Sequence, residues 1–137
     1  MYKLLGCYPT FWANIIKDRQ VITPSPGSYS HIEALGKLSG VEVASTGNCS
    51  DKNKATCTSL EGMRPQTINT INELNASCKQ TSSSCAVTIT GGTEIGHTAG
   101  DNSHSTGYKF DTSDKNTVFT SYVTDLIKTQ NGVSSVE

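Results

Sequence analysis

The spacing of apolar residues predicts a short first helix near the start of the chain. Within residues 28–38, the apolar side chains of Ile32, Leu35 and Leu38 recur about one helical turn apart. Ser30 precedes them and is a candidate N-cap. We therefore expect a helix whose Ile32, Leu35 and Leu38 side chains face the interior.

A second, longer helix is predicted within residues 58–77. Thr58, followed three residues later by Glu61, has the pattern of a capping box, and Pro65 is expected to break or restart the helix. Five apolar residues form a stripe along this segment, and we interpret the stripe as core. They are Leu60, Met63, Ile68, Ile71 and Leu74.

The remaining regular elements are three strands and a closing helix. Residues 41–46 alternate apolar and polar side chains, as a half-buried strand does. Residues 85–92 are rich in Val, Ile and Thr and end at a glycine pair, and residues 107–113 alternate again. Residues 116–128 return to helical spacing. The pattern predicts an α+β fold in which helices flank a small antiparallel sheet.

Length and punctuation suggest one domain with an N-terminal extension. The chain has 137 residues, enough to bury a core without help from metal or crosslinks. Residues 1–27 hold an aromatic cluster with the sole tryptophan, Trp12, and end in a Pro- and Gly-containing linker. We therefore expect an N-terminal segment of residues 1–27 and a domain of residues 28–137.

The charge balance narrows the range of partners. Lys and Arg total 11 against 12 for Asp and Glu, and no long run of one sign occurs. This composition offers no electrostatic attraction to nucleic acid or to an anionic membrane surface. No apolar run approaches the ~20 residues that cross a bilayer, so we expect no membrane span in this chain. We therefore expect a substrate that is recognised by individual groups of a binding site and not by the overall charge of the protein.

Four of the five cysteines form two closely spaced pairs. Cys49 with Cys57, and Cys78 with Cys85, each bracket a short polar loop and lack the Cys-x-x-Cys spacing of zinc or redox motifs. Free cysteines in a cytosolic protein are one interpretation. Disulfides in an oxidising compartment are the one we prefer, and among three possible pairings we expect the two local ones. The protein would then be secreted, extracellular or periplasmic.

Candidate metal ligands cluster in the stretch "GHTAGDNSHSTGYKFD", residues 96–111. It holds two of the three histidines, and His104 and Asp111 stand seven positions apart with Gly107 between them. A glycine turn can bring a loop histidine next to a strand aspartate. Zinc accepts imidazole nitrogen and carboxylate oxygen, but a catalytic zinc site needs a third protein ligand. The third histidine, His31, is expected to be exposed or to cap a helix.

The same residues resemble a peptidase family. "NSHSTGYKFD" resembles the Ser-x-His-x-x-Gly-x-Ala-x-Asp motif of the D-Ala-D-Ala carboxypeptidase and Hedgehog-like zinc peptidases, with His104, Gly107 and Asp111 in place. The resemblance covers roughly residues 28–127, including the cysteine-bounded loops of bacterial extracellular members. It implies a Hedgehog/DD-peptidase-like fold, zinc as cofactor, His104 and Asp111 as its first two ligands, and a peptidoglycan or other cell-wall peptide as substrate.

Several positions depart from the family pattern. Asn102 and Lys109 replace the motif's Ser and Ala, which do not hold the metal. Where the family commonly has an arginine that grips a substrate carboxylate, this chain has Glu94, and Arg64 is the alternative candidate for that task.

The family's third ligand is a C-terminal histidine beside a tryptophan, with a glutamate as general base. After Asp111 this sequence has no His and no Trp, and its one glutamate is Glu137, the remaining candidate base. From this resemblance we expect the domain of residues 28–137 to be incomplete at its C-terminus.

Two interpretations of His97 stay open. It can complete the metal site, with Asp101 as a further oxygen donor, or it can be a loop histidine hydrogen-bonded to backbone, which is the more common situation.

Three hypotheses about function follow. The first is a secreted zinc carboxypeptidase or endopeptidase acting on peptidoglycan stem peptides, weakened if a ligand or the base is missing. The second is a non-catalytic cell-wall-binding or structural module of a surface or phage assembly with the same fold. The third is an unrelated disulfide-stapled domain, which would be indicated if His104 and Asp111 pointed apart.

Overall fold

A computed structural model of the chain describes residues 2–4, 27–44 and 47–129. These residues form three helices and four short strands, consistent with the predicted α+β class. In chain order the elements are β1 (Tyr2–Leu4), α1 (His31–Lys37), β2 (Glu42–Val43), α2 (Pro65–Thr81), β3 (Thr88–Gly91), β4 (Phe110–Thr112) and α3 (Thr117–Thr129). Most of the predicted N-terminal segment 1–27 lies outside the described residues.

The strands form one mixed sheet in the order β1-β4-β3-β2. β4 pairs antiparallel with both β1 and β3, whereas β2 pairs parallel with β3. The expectation of a wholly antiparallel sheet is therefore wrong at this pair. The reason is the connection, because α2 lies between β2 and β3 in the chain and a helical crossover returns the next strand in the same direction.

Helix α1 begins as predicted but turns a different face inward. Ser30 caps it in a reciprocal capping box with Glu33. The buried residues are His31 and Ala34, while the Ile32 side chain is 76% exposed. The prediction that Ile32 faces the core, and the expectation of an exposed or capping His31, are both wrong. In a helix of seven residues, the hydrogen bonds of one buried imidazole can decide which face turns inward.

Helix α2 begins at Pro65, later than the Thr58 capping box predicted. Proline is favoured at the first helical position because its missing N–H has no partner to lose there. The preceding residues 58–63 form a mostly buried, non-helical segment, and Glu61 accepts a hydrogen bond from the His31 backbone N–H. All five residues of the predicted apolar stripe are nonetheless buried in the core, as expected.

Both local disulfides are present. Cys78–Cys85 links the last turn of α2 to the chain that enters β3, and both of its cysteines belong to the core. Cys49–Cys57 closes the loop that precedes the buried 58–63 segment. The pairing predicted from spacing is confirmed.

Candidate metal centre

Three side chains from residues 96–111 converge beside β4. Asp111 lies on β4, His104 in the turns before it, and His97 in the loop after β3. One potential ligand atom of each lies within 4.8 Å of the other two, so these three residues can hold a metal ion. We call them the metal group. The structure brings together all three residues that the sequence suggested. His104 and Asp111 do not point apart, which is the arrangement that would have indicated the unrelated-domain hypothesis.

The imidazole of His104 is held in one orientation. Its side chain is buried, and Nδ1 lies 2.7 Å from the carbonyl oxygen of Gly92. A carbonyl oxygen only accepts, so Nδ1 carries the proton and donates it. In the neutral ring, Nε2 then bears a lone pair. This Nε2 atom is buried, has no hydrogen-bond partner within the described residues, and lies 3.4 Å from Asp111 Oδ1.

That separation fits a shared cation. Two ligands of a tetrahedral zinc ion with bonds of about 2.0–2.2 Å lie about 3.3–3.5 Å apart. A nitrogen lone pair that faces a carboxylate oxygen in a buried site is repulsive unless a cation or a proton lies between them. The 3.4 Å between His104 Nε2 and Asp111 Oδ1 therefore fits two ligands of one zinc ion, and a metal ion between them would remove the repulsion.

His97 approaches the same aspartate from a second direction. Its Nε2 lies 2.5 Å from Glu94 Oε2, and its Nδ1 lies 3.7 Å from Asp111 Oδ2. Its ring stacks on that of His104 with centroids 3.7 Å apart. The interpretation of His97 as a backbone-bonded loop histidine is wrong, because its partner is the Glu94 carboxylate. That contact leaves Nδ1 facing the metal group.

Glu94 positions His97. The carboxylate is buried, and its Oε1 accepts from the backbone N–H groups of Ser59 and Gly92, each at 2.9 Å. Metal-binding histidines commonly donate their other ring N–H to a carboxylate or a carbonyl, which fixes tautomer and orientation. His97 has the carboxylate and His104 has the carbonyl. Sequence reasoning assigned Glu94 to substrate, and its three-residue spacing from His97 was the signal for this other contact.

At two positions near these residues, close contacts leave space only for glycine. Gly91 pairs with Asp111 across β3 and β4, and a Cβ at this position would lie 2.6 Å from Asp111 Oδ2. Gly107 has φ +85°, and a Cβ there would lie 2.2 Å from the Gly62 carbonyl oxygen. Only glycine adopts this conformation readily and fits this space. The predicted turn at Gly107 is confirmed.

A cavity of about 460 Å³ adjoins the metal group. The disulfide-closed loop 49–57 forms part of its wall and is tied to the neighbouring loops. The Lys52 carbonyl accepts from the Ile95 N–H at 2.8 Å, and Lys52 Nζ donates to the Ser105 carbonyl at 3.0 Å. The lining residues are Ala55, Thr56, Cys57, Thr58, Thr90, Glu94, Ile95, Gly96, His97 and Asp111.

Arg64, the candidate for gripping substrate, does not line this cavity. Its Nε donates to the Thr106 carbonyl and one terminal nitrogen donates to the Gly27 carbonyl, while the guanidinium lies 5.0 Å from the Tyr108 ring centroid. These contacts brace the turn that carries His104, and a substrate role for Arg64 stays a prediction.

Asp101 is exposed and lies outside the metal group. The candidate base Glu137 lies outside the described residues.

Comparisons of the chain with protein-family models, with curated proteins and with solved structures found no significant match. In the described part of the chain, no helix is both long and apolar enough to span a membrane.

Proposed function

We propose that this chain is a zinc-dependent peptidase domain that acts on peptidoglycan stem peptides, as a carboxypeptidase or an endopeptidase, outside the cytoplasm. The observation that carries the proposal is the buried His104 Nε2, which lacks a hydrogen-bond partner in the described residues and faces Asp111 at 3.4 Å. A buried polar atom without a hydrogen-bond partner lowers the stability of a fold by about 1–3 kcal/mol, and a bound metal ion would remove that loss.

The donor set favours zinc. Two imidazoles and one carboxylate match the three protein ligands of many catalytic zinc sites, in which a fourth position takes water or substrate. The ligands would be His97, His104 and Asp111. Zinc held there would supply Lewis-acid activation of a water molecule and of a peptide carbonyl.

The other described residues hold these ligands and shape the space beside them. Glu94 and the Gly92 carbonyl fix the two rings, so the ligands need little reorganisation when metal binds. His97 and Asp111 also line the 460 Å³ cavity, which gives a peptide access to the group. The resemblance of residues 96–111 to the D-Ala-D-Ala carboxypeptidase and Hedgehog-like peptidases supports a cell-wall peptide as substrate. The two disulfides support export.

The proposal is tested by metal content and peptide cleavage in the same samples. Purified protein loaded with zinc should contain one zinc ion per chain and release fragments from pentapeptide muropeptides, detected by mass spectrometry. The His104→Ala variant should lose both. The matched control His31→Ala removes a buried histidine outside the metal group and should keep the zinc.

Two results would contradict the proposal. Absence of zinc from the folded wild-type protein would remove the metal site. Zinc binding together with sedimentation on intact peptidoglycan, but without any cleavage, would instead support the non-catalytic cell-wall-binding module.

A further inference from the structure

Thr90 occupies an irregular position in the sheet, next to the metal group. Across β3 and β4, Ile89 pairs with Thr112 and Gly91 pairs with Asp111, so two steps along β3 oppose one step along β4. Thr90 is the additional residue of this β-bulge. Bulges are frequent beside active sites, where they redirect a side chain out of the regular alternation of the strand.

The Thr90 hydroxyl has a second unusual property. Its Oγ1 is buried and has no hydrogen-bond partner within the described residues. Nearby threonine hydroxyls are paired: Thr58 Oγ1 donates to the Thr90 carbonyl at 3.3 Å, and Thr93 Oγ1 donates to the Glu61 carbonyl at 2.7 Å. Since native proteins rarely leave a buried polar atom unpaired, the Thr90 hydroxyl calls for a partner that the described residues do not supply.

Thr90 also lines the cavity into which His97 and Asp111 face. We infer that Thr90 is a substrate-binding residue of this site, and that its hydroxyl hydrogen-bonds a backbone amide group of the peptide held beside the metal ligands. This inference rests on the proposed peptidase function.

A peptide group suits this position. A hydroxyl can donate to a peptide carbonyl or accept from a peptide N–H, so it pairs with either half of an amide. A rotation of about 120° around the Cα–Cβ bond of Thr90 moves its hydroxyl into another staggered position, which lets the hydroxyl turn towards a bound peptide. Hydroxyls are not among the usual zinc ligands, so the residue serves the substrate and not the metal.

The test compares Thr90→Val, which replaces the hydroxyl by a methyl group of similar size, with the wild type. The matched control Thr88→Val makes the same change on the same strand at a residue that does not line the cavity. Thr90→Ser restores the hydroxyl. For each zinc-loaded protein, kcat/KM on a synthetic pentapeptide stem, zinc affinity and the urea unfolding midpoint are measured.

Thr90→Val should lower kcat/KM by roughly 10-fold, the effect of losing one substrate hydrogen bond. Thr90→Ser should recover most of it, and Thr88→Val should match the wild type. Zinc affinity should stay within about 2-fold in all three. The unfolding midpoint of Thr90→Val should be equal or higher, because an unpaired buried hydroxyl has been removed.

Equal kcat/KM for Thr90→Val and the wild type would overturn the inference while leaving the peptidase proposal intact. If the wild type binds the pentapeptide in calorimetry but does not cleave it, the peptidase proposal fails, and the binding affinity of Thr90→Val then decides the inference by the same roughly 10-fold criterion. A wild-type protein that neither cleaves nor binds the peptide overturns both.

Discussion

Two buried histidines, His31 and His104, show what separates a structural imidazole from a candidate metal ligand. Their side chains are 4% and 1% exposed. The Leu60 N–H donates to His31 Nδ1 at 3.0 Å, and His31 Nε2 donates to Asn48 Oδ1 at 2.7 Å, so both of its nitrogens are paired. His104 has one nitrogen paired with a carbonyl and the other facing a carboxylate. The two side chains are therefore buried to a similar degree. They differ in whether the second ring nitrogen has a hydrogen-bond partner among the described residues.

The contacts around each ring explain what each does for the fold. His31 ties α1 to the buried segment that precedes α2, because its ring and its backbone N–H bind Leu60 and Glu61. His104 ties its turn to Gly92 with one nitrogen only. The first region is a completed hydrogen-bond network, and the second is a group of side chains that can hold a metal ion.

The largest expected effect that sharpens this contrast is loss of metal binding in His104→Ala. Removing a ligand should weaken zinc affinity by at least about 100-fold, since second-shell changes alone cost about 10- to 100-fold. Affinity is measured by competition with a chromophoric chelator. His31→Ala is the control and should bind zinc with wild-type stoichiometry. Similar zinc affinities in the two variants would remove the distinction between the regions.

The converse effect should appear in stability. His31→Ala leaves the Leu60 N–H buried without its acceptor and opens a space in the core, so the free energy of unfolding should fall by about 2–3 kcal/mol. Urea denaturation of metal-free protein measures it. Metal-free His104→Ala should lose less unfolding free energy, because only the hydrogen bond to the Gly92 carbonyl is lost. The unfavourable contact between His104 Nε2 and Asp111 is removed at the same time. A larger loss in His104→Ala than in His31→Ala would contradict this account.

Local sequence signals predicted much of the fold and part of the site. The sequence predicted that a turn at Gly107 brings His104 next to Asp111, and that each closely spaced cysteine pair forms a disulfide. Both predictions depend on chain geometry over a few residues, and both are confirmed. Ile32 shows the limit. Its helical spacing predicted burial, but α1 instead buries the face with His31 and Ala34, and His31 bonds to residues distant in sequence, which no periodicity reveals.

The same limit applies to the metal site. The position of His97 depends on its contact with Glu94. The Glu94 carboxylate in turn accepts a hydrogen bond from Ser59, which lies 35 residues earlier in the sequence. The bulge at Thr90 likewise depends on the pairing of two strands about 20 residues apart in sequence. Spacing identifies candidate ligands, but the contacts that orient them are tertiary and are found only in the folded chain.

A smaller effect is expected for Glu94→Gln. The amide keeps an oxygen for the Ser59 and Gly92 N–H groups, but its NH₂ cannot accept from His97, so His97 loses its orientation. Zinc affinity should fall about 10- to 100-fold, and the visible spectrum of the cobalt-substituted protein should change. The same change at exposed Glu42 is the control. An unaltered cobalt spectrum in Glu94→Gln would show that His97 does not depend on this carboxylate.

The smallest expected effect on metal binding compares the two disulfides. They close loops of similar length, with sequence separations of 8 and 7, so replacing either pair by serines should cost about 2–3 kcal/mol of unfolding free energy. Only Cys49–Cys57 restrains the loop that walls the cavity and contacts the segments carrying His97 and His104. The Cys49→Ser/Cys57→Ser variant should therefore bind zinc several-fold more weakly, whereas Cys78→Ser/Cys85→Ser should bind it as the wild type does. Chelator competition at a temperature where both variants are folded separates the two cases, and equal affinities would show that the metal group is organised without the 49–57 loop.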